Sequence, residues 1–225
     1  LRRTDVACLQ ETHTTTASGP TLVKRAGFTQ SALSHGDSRS RGAAVMVRGH
    51  PVADSKTSDC GRVALLTVEV RIDGRDHWIS VLSVYAPNID RTVAGRAEYL
   101  QFVDSVRGML RARRLSGAAE NSLIIAGDLN LAMGHLDAEP GARRPSQEVV
   151  DAWQSVADDF DLTDAFREHF PTARSYTFAP LGDNRHRTFR RLDYILMSDA
   201  LVGVAAKVEH RTVGFSDHKA VEVTL

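Results

Sequence analysis

Nine short runs rich in β-branched and apolar residues, each bounded by turn chemistry, dominate this sequence: 6–10, 28–33, 43–47, 65–72, 78–85, 122–126, 192–197, 202–210 and 220–225. Runs of this length flanked by Gly, Pro, Asn or Asp are strand signals, and so many of them exclude a helical bundle. Within 65–72, Leu66, Val68, Val70 and Ile72 alternate with Thr67, Glu69, Arg71 and Asp73, the period of a strand with one buried face. Asp73-Gly74 then predicts a tight hairpin into 78–85. Two stretches carry a helical period. Val93, Ala97, Leu100, Val103, Val106 and Leu110 recur every three or four residues and predict an amphipathic helix over 92–113. Ser146 reads as the N-cap of a second helix over 146–159. The pattern is α+β, with helices packed on sheets.

A chain of 225 residues, 42% of them hydrophobic, can bury a core without staples. No linker, repeat or low-complexity segment divides it, so one domain over 1–225 is expected. Lys+Arg and Asp+Glu both total 28, so any polyanion footprint must be local. Cys8 and Cys60 give no disulfide framework and no zinc spacing, which suits an intracellular, reducing setting. No apolar run approaches the roughly 20 residues of a membrane span, so no membrane partner is expected. Leu1-Arg2-Arg3 leads straight into a strand, which reads as a domain truncated at its N-terminus.

Acidic and amide residues stand at strand ends, where side chains converge at a sheet edge. Glu11 ends 6–10, Tyr85 ends 78–85, Asp128 and Asn130 follow 122–126, Asp193 lies at the head of 192–197, and Asp217 and His218 precede 220–225. Together they supply the groups that metal-assisted phosphodiester hydrolysis needs. A carboxylate such as Glu11 suits hard Mg²⁺. An Asp-x-Asn pair can accept a proton from water and hold its geometry. An imidazolium and a phenol can stabilise charge on the phosphate, roles that fit His218 and Tyr85. Singly each has a plainer reading: a solvated Glu11, a turn at 128–130, a surface His218, a buried ring at Tyr85. Five such groups at strand termini in one chain favour the chemical reading.

The ordered set Leu9-Gln10-Glu11-Thr12, Val84-Tyr85-Ala86-Pro87-Asn88, Gly127-Asp128-Leu129-Asn130, Arg191-Leu192-Asp193-Tyr194-Ile195-Leu196 and Ser216-Asp217-His218 resembles the endonuclease/exonuclease/phosphatase superfamily, from about residue 5 to 225. The wording of 84–88, the 175–178 strand (Ser-Tyr-Thr-Phe) and the Ser216-Asp217-His218-Lys219 ending look most like the endonuclease domain of LINE-type (non-LTR) retrotransposons. The resemblance implies a four-layered α/β sandwich of the DNase I type, two packed, mostly antiparallel sheets flanked by helices. It implies Mg²⁺ as cofactor, with Mn²⁺ as a substitute, bound by Glu11 with Asp217 close by. Asp128 and Asn130 would orient the attacking water, Tyr85 would contact the scissile phosphate, and Asp193 would hold His218. Asn88, Thr177, Arg187 and Arg191 would bind substrate. Family members open with a strand ending in a metal-binding Asn, then a helix; neither is in this sequence, so the first sheet is expected to lack its first strand.

The implied function is single-strand nicking of DNA for target-primed reverse transcription in the nucleus, with a reverse transcriptase as a candidate fusion and no other protein partner. The alternatives are an abasic-site or exonuclease III-like repair nuclease and a non-catalytic relic. Repair enzymes usually have tryptophan before the Arg-Leu-Asp motif, where this chain has Arg190. Arg185, His186, Arg187, Arg190 and Arg191 cluster with Phe189, and the resemblance makes this a hairpin probing the DNA groove; composition alone equally gives a solvated basic turn. Arg111, Arg113 and Arg114 close the helix over 92–113 and read as structural, while Arg143-Arg144 has no assignment.

Overall fold

The computed structural model describes residues 4–37, 41–89, 92–115, 122–180, 188–214 and 216–225. The chain forms two compact units, one of Leu1–Tyr85 with Arg111–Gly127 and one of Ala86–Leu110 with Asp128–Leu225.

In the first unit, β1 (Val6–Gln10), β2 (Gln30–Ser34) and β3 (Ala43–Val47) form an antiparallel sheet in the order β1-β3-β2. Helix α1 (Gly19–Ala26) covers it, burying Val23 with Phe28, Ala7, Ala44 and Met46. Periodicity does not announce α1, because among its eight residues only Gly19 and Val23 are buried. Its ends are nonetheless legible: a proline in the first turn and Gly27 in the left-handed conformation after the last.

A second layer of this unit runs β4 (Val52–Thr57), β5 (Val63–Ile72), β6 (Arg75–Tyr85) and β7 (Ser122–Asp128), side by side in that order. Strand β3 is buried along its whole length and packs on β5 and β6. The hairpin forms at the expected place, with Ile72 opposite Arg75 and both Asp73 and Gly74 at positive φ. The single buried face expected of β5 holds only beyond Val68; residues 63–68 are buried on both faces. Thr67 faces inward because its hydroxyl meets that of Ser80 at 2.9 Å, and Ser80 accepts from Arg113 Nε at 2.7 Å. Arg113 is thus a buried structural residue, satisfied where burial would otherwise be costly. The sequence hid β4, which is mostly polar and exposed, as a strand at a sheet edge usually is.

Helix α2 (Val93–Leu115) links the units in sequence, and its residues Tyr99, Phe102, Val103, Val106 and Leu110 are buried in the second. There follow α3 (Gln147–Asp159), β8 (Leu162–Asp164), α4 (Ala165–His169), β9 (Asp193–Ser198), α5 (Asp199–Val202), β10 (Lys207–Thr212) and β11 (Lys219–Thr224). β8 pairs with β9, and β10 with β11, both antiparallel. Ser146 is the N-cap residue of α3, as the sequence predicts. Trp153 on α3 donates from its indole to the Tyr99 hydroxyl at 2.9 Å, which in turn donates to the Leu129 carbonyl at 2.5 Å.

Two strand expectations need correction. Residues 199–202 form α5, with Asp199 favouring its N-terminus, so the strand expected over 202–210 begins only at Lys207. Residues 175–178 form no strand; Phe178 makes isolated bridges with Arg190 and His218. Among the described residues no helix is long and apolar enough to cross a membrane.

Candidate functional site

Strand β7 leads into the acidic turn through Gly127, whose φ of 144° is closed to other residues. A Cβ there would lie 2.0 Å from the Val84 carbonyl oxygen. Gly127→Ala is therefore expected to destabilise the protein by about 1–3 kcal/mol, read as a lowered urea midpoint; an unchanged midpoint would show that the turn relaxes freely.

Beyond it, Asp128 is 6% exposed, and its Oδ1 accepts the Asn130 amide proton at 2.8 Å. Asn130 sits at φ 50° and donates Nδ2 to the Ala86 carbonyl at 2.8 Å, while the Ala86 amide donates to the Asp128 carbonyl at 2.9 Å. Leu129 between them is buried and its amide donates to the Leu192 carbonyl. The Asp-x-Asn turn is thus pinned on both sides, and among the described residues the Asn130 side-chain oxygen has no hydrogen-bond partner.

Asp193, at the head of β9, accepts from His218 Nδ1 through Oδ2 at 2.8 Å. Thr177 sets its place: the buried Thr177 hydroxyl accepts the Leu192 and Asp193 amides at 3.0 and 3.1 Å. The His218 ring lies 5.2 Å from that of Phe178, tilted by 58°. Burial alone would lower the His218 pKa, but the Asp193 hydrogen bond and charge, with Asp128 and Asp217 adding theirs, raise it to about 9. Asp128, Asp193 and His218 each offer an atom within 4.8 Å of the others. With its Nδ1 engaged by Asp193, the His218 ring stands as a donor beside the Asp128 carboxylate.

In the first unit, Glu11 is exposed at φ 52°, a conformation costing roughly 1 kcal/mol that persists only when held. Tyr85 holds it: the hydroxyl donates to Glu11 Oε1 at 2.5 Å. The Tyr85 ring is itself fixed, with the Arg62 guanidinium 5.2 Å from its centre. An oriented, exposed carboxylate is a fitting ligand for a hard divalent cation.

Other expected site residues fall differently. Arg191 is 1% exposed and cannot reach DNA as expected; Nε bonds Asp137 at 2.8 Å and NH1 and NH2 grip Asp164 at 3.0 and 2.6 Å. Arg167 also pairs with Asp137, whose burial would raise its carboxyl pKa but whose two guanidinium partners hold it below the usual range. Thr177 is 0% exposed with its hydroxyl engaged, so it positions Asp193 rather than touching substrate. Asn88 is exposed. Asp217 is half-buried, with its carbonyl accepting the Ala179 amide. Arg187, with Arg185 and His186, lies outside the described residues. Sequence reasoning missed Asp137 and Asp164; Asp164 ahead of Ala165-Phe166-Arg167 has the look of an N-cap, the one signal available.

A family model described as Endonuclease/Exonuclease/phosphatase family matches residues 1–218. The Transposon TX1 uncharacterized 149 kDa protein of Xenopus laevis is 28% identical over 165 residues, 72% of this chain and 11% of that protein, so the chain spans about a tenth of that relative's length. An AP endonuclease structure from Archaeoglobus fulgidus superposes with a TM-score of 0.79, covering 99% of this chain and 89% of that one at 18% identity. The catalytic domain of Xenopus laevis APE2 gives 0.77, covering 99% and 83% at 20% identity. These likenesses show the fold, the α+β sandwich with mostly antiparallel sheets flanked by helices that the sequence predicts. With its strand-end acids in the expected order and the family match running over nearly its whole length, this chain belongs to the endonuclease/exonuclease/phosphatase family.

Proposed function

We propose that this chain is a Mg²⁺-dependent DNA endonuclease, accepting Mn²⁺ as a substitute, that nicks one strand and leaves a 3′-hydroxyl able to prime reverse transcription. The observation carrying this reading is the His218–Asp193 hydrogen bond of 2.8 Å beside the Asp128 carboxylate, a contact that raises the His218 pKa. Asp128 accepts the proton of the attacking water, and the side-chain oxygen of Asn130 orients it. His218 donates to the phosphate oxygens as negative charge grows there. Glu11, aimed by Tyr85, would hold the metal, and the Asp217 charge helps raise the His218 pKa. The bound metal would supply Lewis-acid stabilisation of the phosphate. Asn88, exposed after Pro87, contacts the phosphate backbone.

In this reading the chain acts in the nucleus and is joined to a reverse transcriptase in a longer polypeptide; the likeness to a transposon protein supports a place in a mobile element. Conversion of supercoiled plasmid to open circle tests the core of the proposal. Nicking is expected with Mg²⁺, lost on chelation and in Asp128→Ala. No nicking by the folded protein with either metal sinks it; faster cleavage of an abasic duplex than of intact plasmid would move the assignment to repair.

A further inference from the structure

We infer that Tyr99, backed by Trp153, is a positioning residue for the Asp128-Leu129-Asn130 turn, setting the peptide plane that aims the Asp128 carboxylate and the Asn130 side chain. For its effect on rate the inference rests on the nuclease reading, to which it adds a residue that touches neither metal nor phosphate. Both side chains come from helices, α2 and α3, to which the strand-end chemistry gives no part.

The donors fix the direction of the relay. An indole N–H can only donate, so Trp153 Nε1 gives its proton to the Tyr99 oxygen, at 2.9 Å. The phenol has one proton of its own, and that proton goes to the Leu129 carbonyl at 2.5 Å. Tyr99 and Trp153 are fully buried and Leu129 nearly so, surroundings in which bonds in series polarise one another and water does not compete. Burial pushes the Tyr99 phenol well above its ordinary pKa, and the Asp128 charge adds to the rise, so the hydroxyl remains a donor through neutral pH.

The Leu129 carbonyl shares its peptide plane with the Asn130 amide, and that amide donates to Asp128 Oδ1 at 2.8 Å. One plane is therefore held at its oxygen by Tyr99 and at its nitrogen by the carboxylate that takes the proton from water. The same plane sets the φ of Asn130, 50°, a conformation that persists only when its surroundings hold it. The Leu129 amide meanwhile donates to the Leu192 carbonyl at 2.9 Å, one residue before Asp193. Filling the core at position 99 needs only the ring. Holding the turn needs the hydroxyl.

Amide hydrogen exchange by NMR on the whole protein without metal reads the plane, and plasmid nicking with Mg²⁺ reads the rate. Tyr99→Phe keeps the ring and removes the bond, so exchange at the Asn130 amide is expected to quicken about fivefold or more. The kcat for nicking should fall about tenfold while KM stays within about twofold of the parent. Trp153→Phe leaves the Tyr99 bond to Leu129 in place and should have the smaller effect. The double variant should nick no slower than Tyr99→Phe, because Trp153 acts through a hydroxyl already gone. It also strands no buried indole donor, so it carries the test if Tyr99→Phe does not fold. Val106→Ala opens a cavity on the buried face of α2 without touching the relay, and should lower the urea midpoint yet nick at the parental rate. Parental exchange at Asn130 or a parental kcat in Tyr99→Phe, or a Val106→Ala protein that nicks as slowly, overturns the positioning role and leaves the nuclease reading standing. A parent that does not nick, with Asn130 still loosened by Tyr99→Phe, would instead remove the nuclease and keep the anchor of the turn.

Discussion

Asp193→Asn will slow strand nicking by about 10²- to 10⁴-fold while leaving the protein folded, the range expected when a positioned acid–base partner is lost. Asparagine fills the same space at the head of β9 and leaves the backbone amide donating to the Thr177 hydroxyl, but it carries no charge to keep His218 cationic. The His218 pKa then falls from about 9 toward or below its ordinary 6.5, because the burial that lowers it is no longer opposed by its main partner. The linkage has a definite sign. A folded-state pKa raised above the unfolded value gives stability that is whole below about pH 6.5 and disappears as pH rises through about 9. The stability gap between the parent and Asp193→Asn should therefore be widest in mild acid and close by pH 9 to 10. A gap independent of pH, or nicking within threefold of the parent, would show that the pair is only a packing contact.

Arg191→Ala should cost about 3–5 kcal/mol, the usual consequence of leaving buried carboxylates without their cation. Arg191 is enclosed by Asp137, Asp164, the Tyr194 ring at 4.2 Å and the Phe166 ring at 5.3 Å. Lysine is not a conservative replacement, since one point charge cannot serve two carboxylates that the planar fork grips together. Urea unfolding would show the midpoint falling for both variants. A DNA contact at this position makes the opposite forecast: unchanged stability with weaker, less salt-sensitive DNA binding. The same network predicts acid sensitivity, because the depressed Asp137 carboxyl contributes stability above its ordinary pKa of 3.8 that is lost as pH falls through the depressed value.

What the sequence made legible follows from which signals are local. Strands β1 and β3 and the Asp73-Gly74 hairpin were readable because apolar runs and turn residues act on their own neighbours. Edge strand β4 and the short β8 and α4 were not, since their residues Asp54, Lys56 and Asp164 carry little apolar pattern and are placed by partners far along the chain. The strand-end acids could be found by position. The burial of Arg191 and Thr177 could not, because a basic run looks the same whether a guanidinium faces solvent or closes on Asp137, 54 residues away. Arg191 stands two residues before Asp193, yet it points into the core.

The carboxylate of Asp164 carries four bonds at once. Oδ1 takes the amides of Phe166 and Arg167 and one arm of Arg191, and Oδ2 takes the other arm. The start of α4 and the chain entering β9 therefore share one anchor, so loosening either frees both. Hydrogen exchange at the Phe166 and Arg167 amides is then a remote gauge of the strand that presents Asp193, readable by isotope labelling with neither metal nor substrate added. A variant that quickens exchange there has disturbed the scaffold, and one that abolishes nicking while leaving those two amides slow has touched the chemistry alone.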